Sequence, residues 1–148
     1  MKTLITYLAE DHAIVVENLI EALREIADVI VTAHSATQAE ASRWLDMHDG
    51  TWHLAIVDLF LKEGSGLGIL AGCRNRECYQ KVVVLTNYAT SEIRQRAAAL
   101  GADAVFDKST ELDALFAYCR EQKANLQKED ARQAGREAAK RGRPAGRG

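Results

Sequence analysis

The run His53-Leu54-Ala55-Ile56-Val57-Asp58-Leu59-Phe60-Leu61 decides how the rest of the chain is read. Residues 54–57 are an unbroken apolar stretch, the pattern of a strand buried on both faces within a parallel sheet. A carboxylate follows at once, at the strand end where open α/β sheets hold their ligands. The next residues, Leu61-Lys-Glu-Gly-Ser-Gly-Leu-Gly68, form a glycine-rich turn into a helix, which leaves Asp58 on the lip of a loop, within reach of water. Taken alone, Asp58 is equally well read as a turn former. The ends of the other strands decide between the two.

Upstream, residues 3–9 are β-rich and end in the pair Glu10-Asp11. The period then becomes helical, with Val15, Leu19, Leu23 and Ile26 on one face and Glu17, Glu21 and Glu25 on the other. Residues 29–33 read as a second strand. The Ser35-Ala-Thr-Gln38 pattern is a capping box that opens a helix facing inward through Ala41, Trp44, Leu45 and His48, and Asp49-Gly50 ends it. Downstream of Asp58 a short helix passes through Leu67, Leu70 and Ala71, and residues 81–86 form a fourth strand closing on Thr86. A helix over 91–100 turns Ile93, Ala97 and Leu100 inward and Arg94 and Arg96 outward, and stops at Gly101. Residues 104–108 are the fifth strand. The last helix starts near Ser109 or Thr110 and buries Leu112, Leu115, Phe116 and Cys119.

Five strands alternating with five helices through short loops predict an α/β three-layer sandwich, because each crossover helix returns the chain to the same end of a parallel sheet. A chain of 148 residues with 47% hydrophobic content suits one such domain. The three cysteines are odd in number and lack metal-ligand spacing, so they read as reduced thiols of a cytoplasmic protein without structural zinc. The opening apolar run is interrupted by Glu10 and Asp11 too early for a signal peptide, and no later stretch approaches a membrane span. Residues 1–130 carry 13 Lys/Arg against 20 Asp/Glu, whereas 131–148 carry six Lys/Arg against Glu137 alone. An acidic body lacks the cationic face that binding to a phosphate backbone requires.

In this topology the carboxyl ends of the strands share one edge, which brings Glu10, Asp11, Asp58, Thr86 and Lys108 together. Three carboxylates in one crevice repel one another unless a hard cation joins them, and Mg²⁺ is held by a few carboxylate oxygens. A lysine and a hydroxyl beside them are what a phosphoryl group needs.

Together, Glu10-Asp11, Asp58 with its Leu-Phe-Leu-Lys-Glu-Gly-Ser-Gly-Leu continuation, Thr86 after Val-Val-Val-Leu, and Gly101-Ala-Asp-Ala-Val-Phe-Asp-Lys108 resemble the receiver domain of two-component response regulators. The resemblance covers about residues 2–122. It implies a flavodoxin-like five-stranded sheet in the order 2-1-3-4-5 and a phosphorelay role rather than an enzyme's. Asp58 would be the phospho-acceptor, receiving its phosphoryl group from a sensor histidine kinase or a histidine phosphotransfer protein. Asp11, Asp58 and the backbone carbonyl of Phe60 would bind Mg²⁺ directly, with Glu10 acting through water. Lys108, Thr86 and the adjacent Asn87 would contact the phosphoryl group. Movement of Thr86 would repack the surface of helix 4, strand 5 and helix 5 for an output protein or a phosphorylation-dependent homodimer. Two positions depart from the family. Val105 stands where Tyr or Phe is usual, with Phe106 one residue on and therefore facing the other way, and Ser109 replaces a common proline. Phe60 and Tyr88 are expected to flank the phosphoryl group and prolong its life.

We expect residues 1–122 to form the receiver and 123–148 a basic tail, a frayed helix followed by disorder. Too little chain follows for a winged-helix or helix-turn-helix output domain, so the output is expected on another protein or on a longer natural chain. The tail's Arg-Gly-Arg-Pro is similar to the AT-hook, a minor-groove segment, which gives a DNA-binding regulator as the alternative reading. A Mg²⁺-dependent phosphatase is a third reading, disfavoured because Phe60 occupies the place of a general-acid carboxylate. The glycine-rich turn lacks the lysine of a phosphate cradle.

Overall fold

Alternate residues of the central strands enter two different cores, and this fixes the layering. In the computed structural model, which describes residues 3–142, β1 (Thr6–Ala9), β3 (Leu54–Val57) and β4 (Lys81–Thr86) are almost entirely buried. Leu54 and Ile56 pack with Leu19, Leu23, Leu115 and Phe116, on the side covered by α1 (Ala13–Ala27) and α5 (Leu112–Arg141). Ala55 and Val57 pack with Leu45, Ile69, Leu70 and Ala97, on the side of α2 (Gln38–Met47), α3 (Gly66–Gly72) and α4 (Ser91–Ala99). With β2 (Val31–Ser35) and β5 (Ala104–Asp107), the five strands form one parallel sheet, as the alternation of elements predicts, in the order β2-β1-β3-β4-β5 that the family resemblance implies. All strand carboxyl ends meet one edge, between helix layers on both faces.

Local boundaries differ from the sequence expectation for identifiable reasons. The buried stripe of α1 is Val16, Leu19, Leu23 and Ala27, while Ile26 is exposed. Asp28 caps this helix in the left-handed region (φ 54°), and Val29 folds back with its N–H on the Leu23 carbonyl, so β2 begins at Val31 rather than at 29. Ser35 does not cap α2. It closes β2 with its hydroxyl bonded to that of Tyr7, and Thr37 caps instead, accepting from the Glu40 N–H at 3.2 Å. Ile69 takes the inward place expected of Ala71, which is exposed. Ser109 is drawn into a turn by Asp107, whose Oδ1 accepts both its N–H and its hydroxyl, so α5 starts only at Leu112.

Arg94, expected outward, is half-buried and donates to the carbonyls of Ala89 and Val105 and to Glu111, tying the β4–α4 loop to β5 and α5. The apolar face, expected to end near residue 122, reaches one turn further to Leu126, which packs against the core, and α5 does not break there: it continues to Arg141 with every residue from Ala131 exposed. Ala, Gln, Glu, Lys and Arg, all good helix formers, dominate this stretch. The expected disordered end and the second half of the Arg-Gly-Arg-Pro segment lie outside the described residues.

Candidate phosphoryl-acceptor site

Asp58 directly follows β3, and its side chain is positioned by a turn that only glycine permits. The Gly66 N–H donates to the Leu59 carbonyl, so the backbone at Gly66 lies against the Asp58 carbonyl, where a Cβ would overlap it. Gly64, in the left-handed region at φ 82°, turns the chain beneath Gln38, whose Oε1 accepts the Ser65 N–H at 2.8 Å. Sequence reasoning took Gln38 for a capping residue and missed this long-range brace, since no local pattern announces a partner 27 positions away. The glycine-rich stretch is thus a packing device under Asp58.

At the lip, Lys108 Nζ donates to Glu10 Oε2 at 2.7 Å and to Asp58 Oδ2 at 2.9 Å. The Lys108 side chain is 13% exposed, that of Asp58 7% and that of Glu10 1%, so the triad is shielded yet open on one side. Phe60 donates its N–H to Asp58 Oδ1 at 3.2 Å. Burial raises the carboxyl pKa of Glu10 and the neighbouring Asp58 raises it further, against the opposing pull of Lys108. Burial also works against the Lys108 charge, but Glu10 and Asp58 outweigh it and its pKa is raised.

Asp11 adds a third carboxylate, and ligand atoms of Glu10, Asp11 and His12 lie within 4.8 Å of one another. The His12 ring Nδ1 is 3.0 Å from Asp11 Oδ1, and the His12 backbone N–H donates to Glu10 Oε1 at 3.3 Å. These residues fit a hard divalent cation. One lysine stands among three carboxylates, and oxygen donors suit Mg²⁺.

Thr86 is fully buried at the end of β4, and its hydroxyl accepts the Tyr88 N–H at 3.2 Å. Asp58, Phe60, Asn87, Tyr88 and Lys108 line one cleft of about 610 Å³, whose apolar wall comes from α1 and α5. Phe60 and Tyr88 are 52% and 62% exposed and meet edge to face across its mouth, centroids 5.1 Å apart. Val105 packs on the α4 side of the sheet, whereas Phe106 points to the α1/α5 core and meets Tyr118 edge to face.

A parallel sheet in the order 2-1-3-4-5, with an acid cluster and a lysine at its carboxyl edge, defines a doubly wound α/β fold with its site at the strand ends. The response regulator receiver domain model matches residues 6–120, and the chain belongs to that family. Receiver domains are signalling domains. Similar solved structures include a LuxR-family DNA-binding response regulator from Staphylococcus aureus, with a TM-score of 0.70 and 18% identity over 79% of this chain and 96% of that one. The signal receiver domain of a DNA-binding response regulator protein from Colwellia psychrerythraea 34H gives a TM-score of 0.68 and 18% identity over 78% and 94%. A Burkholderia pseudomallei response regulator carrying a phosphorylated aspartic acid, a calcium ion and citrate gives 0.64 and 22% over 86% and 73%. No curated protein matches the chain significantly. Among the described residues no helix is long and apolar enough to cross a membrane.

Proposed function

We propose that residues 1–122 are a cytoplasmic receiver that takes a phosphoryl group onto Asp58 from a phosphohistidine of a sensor kinase or phosphotransfer protein, with the tail from 123 outside this switch. The observation that carries it is the Lys108 ammonium held between Asp58 and Glu10 in an open crevice. An Asp58 oxygen attacks phosphorus, the P–N bond breaks, and the departing imidazole leaves with the electron pair and takes up a proton from solvent. Lys108, already paired with the Asp58 carboxylate, then pairs with the phosphoryl oxygens. Asp11, Asp58 and the Phe60 carbonyl would hold Mg²⁺, with Glu10 acting through water, and the ion supplies neutralisation of phosphoryl charge. Asn87, which lines the cleft, and Thr86, buried behind it, would contact the phosphoryl group, and reorientation of Thr86 would alter the α4, β5 and α5 surface for an output protein or a second copy.

Incubation with Mg²⁺ and a small acyl phosphate should add one phosphoryl group to the intact mass of the wild type and none to Asp58→Ala. Equal labelling of both proteins would remove Asp58 from the role. A second outcome concerns lifetime. The Phe60 and Tyr88 rings cover the mouth through which water must approach in line, so Phe60→Ser/Tyr88→Ser should hydrolyse its phosphoryl group about tenfold faster, roughly 1.4 kcal/mol of barrier. Decay of the label, followed by mass after removal of donor, checks this; an unchanged half-life sinks the steric account.

A further inference from the structure

On α5, Lys128, Arg132, Arg136 and Lys140 recur every fourth residue, and all four are exposed. At 1.5 Å per residue this row is a cationic ridge about 18 Å long, winding slowly round the helix. Three acids share the stretch, Glu129, Asp130 and Glu137, and none falls on the ridge. Arg132 pairs with Glu129 at 2.7 Å, but both side chains are more than 60% exposed, and such a pair is weak enough to exchange for another anion. From Ala131 to Gly142 the helix has no buried residue, so neither the body nor an apolar seam accounts for its surface.

We propose that this ridge is a docking surface for the phosphate backbone of duplex DNA, independent of chemistry at Asp58. Eighteen ångströms along one strand of B-form DNA hold about five phosphates, enough to give each of the four cations a partner. The major groove of B-DNA admits an α-helix, whereas that of A-form RNA is too narrow. Single strands need aromatic platforms for their bases, and no aromatic residue follows Tyr118. The acidic body repels the same polyanion, which confines contact to the arm. Lysine and arginine on phosphates read no sequence, so binding is nonspecific.

The test is fluorescence anisotropy of a labelled 20-base-pair duplex with the full-length chain, against Lys128→Gln/Arg132→Gln/Arg136→Gln/Lys140→Gln. Glutamine keeps the helix propensity, and circular dichroism checks the fold. Four phosphate contacts predict a slope of log K on log salt of about −3.6, an affinity loss of about 150-fold between 50 and 200 mM salt. The variant should bind at least tenfold more weakly at 50 mM salt, with a slope shallower by about 3.6. The proposal is overturned if the wild type fails to bind at 50 mM, if the slope changes by less than about one, or if single-stranded DNA, duplex RNA or polyglutamate binds as tightly.

Discussion

Lys108→Met is expected to slow phosphorylation of Asp58 by about 10²- to 10³-fold, the scale of losing one preorganised electrostatic contact to a transferring group. Its ammonium is the cation that reaches both Glu10 and Asp58, so its removal also leaves two shielded carboxylates facing each other. Breaking a buried pair from one side costs about 3–5 kcal/mol; with the crevice open on one side we expect about 2–3 kcal/mol, or about 5–10 °C in Tm for a chain of this size. The pH dependence has a defined sign. The folded-state pKa of Glu10 is raised above 4.5, so the native protein binds more protons than the unfolded chain just above that pH, and stability falls as pH rises through the window. The folded-state pKa of Lys108 is raised above 10.5, so its contribution is fully present below 10.5 and is lost as pH rises through the folded value. In metal-free protein the variant's deficit should therefore be larger at pH 7 than near pH 4.5, where Glu10 takes up a proton, and should vanish at strongly alkaline pH. Urea melts at the three pH values check this. A deficit that is the same at pH 4.5 and 7 would mean that Lys108 acts by packing alone.

The layering and the site edge were legible because they depend on patterns the chain carries locally. Residues 54–57 and 82–85 are continuously apolar because both sheet faces are covered, and a polar residue at the end of each strand marks the open edge. Parallel connectivity then brings Glu10, Asp58 and Lys108 together across separations of 50 and 98 positions. What the sequence hid were choices between equivalent local signals and partners made at a distance. Ser35 and Thr37 each precede a Gln or Glu by three residues, so two capping boxes overlap, and only the pairing of β2 with β1 decides that Ser35 belongs to the strand. Ile26 outranks Ala27 on hydrophobicity, yet Ala27 completes the inward stripe of α1. Arg94 and Arg76 look like surface residues until the tertiary fold supplies carbonyls for them, and Gln38 until it supplies the Ser65 N–H.

Arg76→Met is expected to lower stability by about 3–4 kcal/mol, about 10 °C in Tm, while leaving phosphorylation of the folded protein unchanged. The Arg76 guanidinium is only 11% exposed. Its Nε donates to the Gln80 carbonyl at 2.9 Å, and one terminal nitrogen to that of Cys73 at 2.9 Å. The other donates to Gly101 at 2.6 Å and to Asp103 Oδ2 at 2.8 Å. Asp103 Oδ2 in turn accepts the Val82 N–H, so one planar fork closes the entries to β4 and β5. Removing it strips the side-chain donor from three carbonyls and a carboxylate at once. Asp103 Oδ2 keeps the Val82 N–H and the Cys73 carbonyl keeps the Arg76 N–H, so the Gln80 and Gly101 carbonyls bear most of the loss, and the cost of leaving buried acceptors unpaired exceeds the gain from making such bonds. Arg76→Lys should recover less than half of the loss, because a single ammonium cannot present the same divergent donors. These loops lie at the opposite end of the strands from Asp58, so the labelling rate per folded molecule has no reason to change. Thermal melts with and without Asp103→Asn measure the coupling. Additive losses from Arg76→Met and Asp103→Asn would show that the two side chains do not act as one unit.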